Sequence, residues 1–350
     1  MLNKLTEKDF FILFLLLFVK FFLIYLVLFF NLGEGFFLTK GDAEAYHLYA
    51  IGYLYDREAT NFWFWFLRRL NDLGFYDREI VLIFLLFINT IIIPYLFFKI
   101  IHNNISYNSN YLFLFILSII IFFPSIIYHS FDIYRDIAML CIFMFSLYQV
   151  SKFKSYISIK SVFIILLIVW LYWFRDYLGL AFFLTFLSFR FINLSDSNLY
   201  KFFAFYFILL TIFNYLGLFE PLINYRNWFL EDDSSTNLKI DFNNKNLFLF
   251  SFFKSAFLQL FGFYYFGLIS IILFFIESLV FIICLFYVIK NRNFYSPFLN
   301  FCLIFFVFYT TIWLISNDNF GTAIRLRWFS YFPVYIMAYI IYQLKRNKLS

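Results

Sequence analysis

The stretch 80–101 is apolar throughout apart from a few uncharged polar residues and one charge, Lys99. A run of this kind is long enough to cross a bilayer, since about 20 mainly apolar residues span about 30 Å of hydrocarbon as a helix. Stretch 10–30 is a second such run, broken only by Lys20. Composition agrees, with 64% hydrophobic and 14% charged residues, where a soluble domain carries about 25% charged. The expected fold class is therefore all-α, a polytopic integral membrane helical bundle. The pattern predicts about ten transmembrane helices, at 10–30, 80–101, 111–127, 137–150, 162–174, 178–191, 202–218, 268–289, 298–315 and 328–344. Residues 1–350 read as a single transmembrane domain. A first outer loop with amphipathic helices occupies 32–79, and a second long outer loop 220–246. The aromatic stretch 247–266, interrupted by Lys254 and Gln259, reads as interfacial or re-entrant.

Several other classes are disfavoured. The net charge of +6 is spread over helix ends and forms no basic stripe of the kind nucleic acid requires, so no nucleic-acid partner is expected. Cys141, Cys284 and Cys302 stand singly inside apolar runs, which suits small packed residues better than a disulfide framework or a metal site. The first apolar run is long enough to span and lacks a small-residue cleavage site, so it reads as a helix that stays rather than a leader. The 62 phenylalanines suit lipid-facing positions, where any large apolar side chain is acceptable, and carry no functional signal.

Orientation follows from basic residues in short loops. With a cytoplasmic N-terminus, Lys4, Lys8, Lys152, Lys154, Lys160, Lys201, Lys290, Arg292, Lys345, Arg346 and Lys348 all fall inside. Arginine then collects outside, at Arg57, Arg68, Arg69, Arg78, Arg135, Arg175, Arg226, Arg325 and Arg327. Arginines retained against the usual bias suit a bidentate grip on phosphate or carboxylate. The plainer reading is local ion pairing, for example Arg135 with Asp132 or Asp136, which is common and weak.

Four polar motifs fall on that outer side. The first is Gly41-Asp42-Ala43-Glu44-Ala45-Tyr46-His47, opening the first outer loop. Two carboxylates and a histidine near a membrane surface can work as general bases, because burial raises a carboxylate pKa. Asp42 could equally cap a helix that starts at Ala43, but a cap has no use for Glu44, Tyr46 or His47. The second motif runs from Phe123-Pro124-Ser125 to Arg135-Asp136, and the third is Phe174-Arg175-Asp176-Tyr177. The fourth spans Ser316 to Arg327 and includes Gly321-Thr322-Ala323. Arg325 and Arg327 would face the same way in an extended segment and diverge on a helix.

The Gly-Asp-Ala-x-x-Tyr-His pattern, with the Pro-Ser to Arg-Asp stretch, the Arg175 turn and the Gly-Thr-Ala segment before a final span, resembles the GT-C superfamily of polyprenyl-phosphate-dependent membrane glycosyltransferases. The likeness covers most of the chain as a layout. Glu44 stands two positions from Asp42, where some members carry an adjacent acidic pair. The resemblance implies a glycosyltransferase with Asp42 as catalytic base, accompanied by Glu44 and His47. Arg135, Arg175, Arg325, Arg327 and Tyr46 would bind substrate or phosphate. The implied partners are an undecaprenyl-(pyro)phosphate-type saccharide donor, a glycan acceptor and membrane lipids, and the implied location is the bacterial inner membrane. The role would be in cell-surface polysaccharide assembly, as a single-sugar transferase or an O-antigen polymerase-like repeat-unit polymerase. No cofactor is demanded, though an acid-bearing loop could hold a divalent metal. The competing reading is a flippase for lipid-linked oligosaccharide or another transporter, for which Lys20, Lys254 and Glu277 would line a pathway within the membrane.

Overall fold

The computed structural model describes residues 7–30, 41–55, 59–105, 111–153, 159–194, 199–231, 236–265 and 267–349. The expected stretches at 32–40 and 56–58 of the first outer loop lie outside them. Among the described residues the chain is helical, and its one β pairing is an isolated antiparallel bridge between Asn237 and Asn319. It divides into two compact units, 1–179 and 180–350.

The first unit begins with α1 (Glu7–Phe29), followed by α2 (Asp42–Ala50) and α3 (Phe62–Asp72). Next come α4 (Arg78–Phe87) and α5 (Ile93–Asn104), which form one continuous helix of 27 residues, Arg78–Asn104, through a π turn at Ile88–Ile92. Pro94 explains that turn. Proline offers no N–H to the preceding turn and crowds it, and one wider turn absorbs the mismatch. The turn is also where Lys20 meets the helix: its buried ammonium donates to the Asn89 carbonyl at 3.4 Å and side-chain Oδ1 at 3.2 Å. Asn89 in turn donates to Ser130 Oγ at 3.1 Å. The unit is completed by α6 (Tyr111–Ile121), α7 (Pro124–His129), α8 (Arg135–Ser151) and α9 (Ile159–Phe174). Helix α8 packs on α5 and α9, α2 on α3, and α3 on α9. Helix α10 (Asp176–Ser188) carries the chain across the unit boundary.

The second unit holds α11 (Leu199–Tyr215), α12 (Glu220–Glu231), α13 (Phe248–Ser255), α14 (Leu268–Leu273), α15 (Leu279–Lys290), α16 (Pro297–Ser316) and α17 (Phe320–Leu349). π turns at Ala256–Leu260 and Phe274–Ser278 extend α13 and join α14 to α15. Helix α17 packs along α15 and α16, and α12 lies against α16.

The expected all-helical class is found, whereas ten separate spans are not. Among the described residues three helices are long and apolar enough to cross a membrane: Arg78–Asn104, Leu268–Lys290 and Pro297–Ser316. A fourth is obtained if the pair Lys201–Tyr215 and Glu220–Trp228, bent by 76°, counts as one span. Phe14–Val27, Leu114–His129, Lys160–Phe174 and Asp176–Ser188 are apolar but shorter. The stretch 220–246, expected as a second long outer loop, has defined structure of its own. It contains α12 and then a segment, from Thr236 to Asn244, whose backbone is tied to the end of α16.

Candidate functional site

After α1, α2 starts where the Gly-Asp sequence predicts a start. Gly41 holds φ +148°, a conformation glycine enters without the cost other residues meet. Asp42 is therefore the first helical residue, it is exposed, and no side chain caps the helix. Asp42 and Glu44 both stand in the first turn, where the helix dipole favours negative charge. At the other end Arg68 Nη1 donates to the Tyr49 carbonyl at 3.3 Å. Gly52, at φ +90°, lets that guanidinium approach; a Cβ there would sit 2.5 Å from Arg68 Nη1.

Helix α3 is the amphipathic element expected within 32–79. Asn61 Oδ1 accepts from the Trp63 amide at 3.0 Å and so caps it. Trp63, Phe64 and Leu67 are buried. Tyr46 is buried too and meets Phe64 edge-on at 4.7 Å, so it forms part of the packing between α2 and α3. Trp63 Nε1 donates to the Ile133 carbonyl at 2.9 Å, which anchors the turn ahead of α8 beneath the loop.

These contacts bring together a charged cluster. Arg78, at the entry of the Arg78–Asn104 helix, presents a fork to Asp132, with Nε on Oδ1 at 3.1 Å and Nη2 on Oδ2 at 2.8 Å. Its Nη1 donates to Glu44 Oε2 at 2.8 Å. Asp132 is buried and also accepts from the Ile133 amide at 2.8 Å, whereas Arg78 and Glu44 are about one-third exposed. Two carboxylates against one guanidinium leave the trio net negative, whereas Asp42, two residues before Glu44 on the helix, points away from it. Beside it, His47 Nδ1 and the Tyr76 hydroxyl are 2.9 Å apart with their rings stacked at 5.9 Å. Burial pushes the Tyr76 pKa up to about 12, so it remains a phenol at neutral pH.

A little further along, Arg135 does not pair with Asp132 or Asp136, against the local pairing the sequence offers. Its Nη1 donates to the Phe174 carbonyl at 3.0 Å, closing the end of α9, while its Nε is buried with no hydrogen-bond partner. Asp136 instead faces Arg175, whose buried Nη2 lies 3.7 Å from Oδ1. Among the described residues no group of three or more His, Cys, Asp or Glu side chains is arranged to hold a metal ion.

The second unit has its own polar knot. Buried Arg226 donates to the carbonyls of Ile240 at 2.9 Å, Leu314 at 3.0 Å and Asn317 at 2.6 Å, and to the carboxylate of buried Asp318. Asp318 also accepts from the Lys239 amide at 2.7 Å and the Ile240 amide at 3.1 Å. Arg325 and Arg327 stand near the start of α17, so on the helix they diverge. Arg327 is buried and donates to the carbonyls of Gln259 and Leu258, whereas Arg325 is half-buried.

Sequence reasoning did not single out Arg78, Asp132 or Tyr76 as a group. The available signal was Arg78 at the foot of an otherwise apolar run. Fold and site together define an all-helical protein with helices suited to a membrane and a charged cluster at one helix entry. No family model matches the chain, and neither does any curated protein or solved structure.

Proposed function

We propose that this protein is a membrane glycosyltransferase. It would transfer a sugar or oligosaccharide from an undecaprenyl-(pyro)phosphate-type donor at the outer face of the bacterial inner membrane, in cell-surface polysaccharide assembly. One observation carries the reading: Asp42 opens α2 exposed to solvent, in the same first turn as Glu44. Glu44 and Asp132 fix Arg78 and the loop, and Asp42 is the general base.

In the reaction, Asp42 takes the proton of an acceptor hydroxyl. The oxygen attacks the anomeric carbon, and the bond from that carbon to the donor phosphate oxygen breaks with its electron pair. Cations near the leaving phosphate stabilise the developing charge. In the first unit Arg135 suits this, since it is half-buried and keeps a buried nitrogen with no hydrogen-bond partner. The His47–Tyr76 pair would orient acceptor hydroxyls.

The test is Asp42→Asn in a deletion host, with surface glycans resolved on a gel and the protein level followed in parallel. Loss of long chains with one repeat retained supports a repeat-unit polymerase, and a missing or altered repeat supports a single-sugar transferase. Normal glycans at normal protein level would sink the catalytic role. The transporter reading draws on buried Lys20 and buried Glu277, each at a π turn within or against an apolar helix. It predicts lipid-linked repeats accumulating on the cytoplasmic side of the Asp42→Asn host.

A further inference from the structure

The second unit encloses a cavity of about 520 Å³ that plays no part in the proposed transfer. Its lining follows one face of α16 at helical spacing, Leu303, Phe306, Val307, Thr310, Thr311 and Leu314. One face of α15 lines it opposite, from Ile282 to Ile289. Eleven residues of helix rise by about 16 Å, close to half of the roughly 30 Å hydrocarbon thickness, which is the depth of one leaflet. The few polar groups of the wall are used by the protein itself. Tyr206 and Thr311 share a hydrogen bond of 2.5 Å, Thr310 bonds Ser330 at 3.1 Å, and Tyr295 donates to the Val288 carbonyl at 3.1 Å. Water would find little to bond there. Phe203, Phe253, Phe263 and Phe286 of the lining are exposed, so the slot opens sideways.

Charge marks one end. Leu194, Phe202, Ile289 and Tyr295 line the slot there, and Arg190, Lys201, Lys290 and Arg292 stand beside them in the chain. In the sequence stretches 189–203 and 286–299 these four basic residues stand against a single acid, Asp196. Arg292 is half-buried, and its Nε is buried with no hydrogen-bond partner.

We propose that this slot holds one acyl chain of an anionic membrane phospholipid, with the lipid phosphate at the basic end. An apolar slot one leaflet deep accounts for the chain, and a rim with four basic residues against one acid in the neighbouring sequence accounts for the headgroup. The proposal is independent of the transfer reading, and neither requires the other.

The test measures lipid carried by the full-length protein purified in mild detergent, by quantitative extraction and native mass spectrometry. The expected result is about one phospholipid per chain, with phosphatidylglycerol or cardiolipin enriched over phosphatidylethanolamine relative to the source membrane. Each basic residue at a membrane surface is worth about a fivefold preference, so Lys201→Gln with Arg292→Gln should remove most of that enrichment. Val307→Trp fills the slot and should abolish stoichiometric lipid. Should Val307→Trp fail to accumulate, the double charge variant decides alone through headgroup selectivity. Wild-type protein without stoichiometric lipid would overturn the proposal. So would enrichment that persists in the double variant, or a polyprenyl lipid as the retained species.

Discussion

Each unit contains an arginine gripping a buried aspartate, and the two pairs behave differently. In the second unit Arg226 is sealed, with every nitrogen directed at a carbonyl or at Asp318, and Asp318 tied to two further backbone amides. Nothing remains for a ligand, so this pair is a joint that ties the segment after α12 to the end of α16. In the first unit Arg78 holds Asp132 equally well but shares its third nitrogen with Glu44, at a site about one-third open to solvent. The lesson is that an arginine gripping an aspartate leaves room for a ligand only where its partners leave an edge facing water.

Predictions that strain this contrast start with the sealed pair. Asp318→Asn or Arg226→Gln leaves a charge buried without its counter-ion, which typically costs about 3–5 kcal/mol. The expected outcome is loss of monodisperse protein on gel filtration in detergent, and near-normal yield would contradict the structural role. Asp132→Asn should cost less, about 2 kcal/mol, because solvent reaches Arg78 and Glu44 remains beside it. A drop in melting temperature without loss of yield would show this. Gly52→Ala meets both a left-handed φ and the Arg68 guanidinium. A cost of about 1–2 kcal/mol is expected, read as faster proteolysis within the first loop. Glu44→Gln changes a part-exposed ion pair and should shift stability by less than about 1 kcal/mol. A shift as large as that of Asp132→Asn would mean Glu44 is more deeply committed to the fold than its exposure indicates.

Much of this was open to sequence reading and some was not. The apolar runs announced the helical class, and the amphipathic helices expected in 32–79 announced α3. The number of spans was less legible, because the 76° bend after Tyr215 acts on geometry rather than on composition. The 220–246 region looked like a loop since it is polar, yet its extended backbone is satisfied by the carboxylate of Asp318 from far along the chain. Charge pairing was the least legible feature. Local spacing offered Arg135 to Asp132 or Asp136, while the fold gave Asp132 to Arg78 and Asp136 to Arg175. Partners separated by tens of residues leave no trace in spacing. The position of Asp42 at a helix start, by contrast, could be read from Gly41-Asp42 directly.

The most direct measurement compares wild-type and Asp42→Asn protein in lipid nanodiscs, following turnover of a polyprenyl-pyrophosphate-linked saccharide alongside the melting temperature. Loss of a general base predicts a fall in kcat of about 100-fold or more with little change in melting temperature, since Asp42 is exposed and the substitution keeps its size. Turnover within threefold of wild type, at equal stability, would contradict the assignment of Asp42 and with it the functional reading of the first-unit cluster.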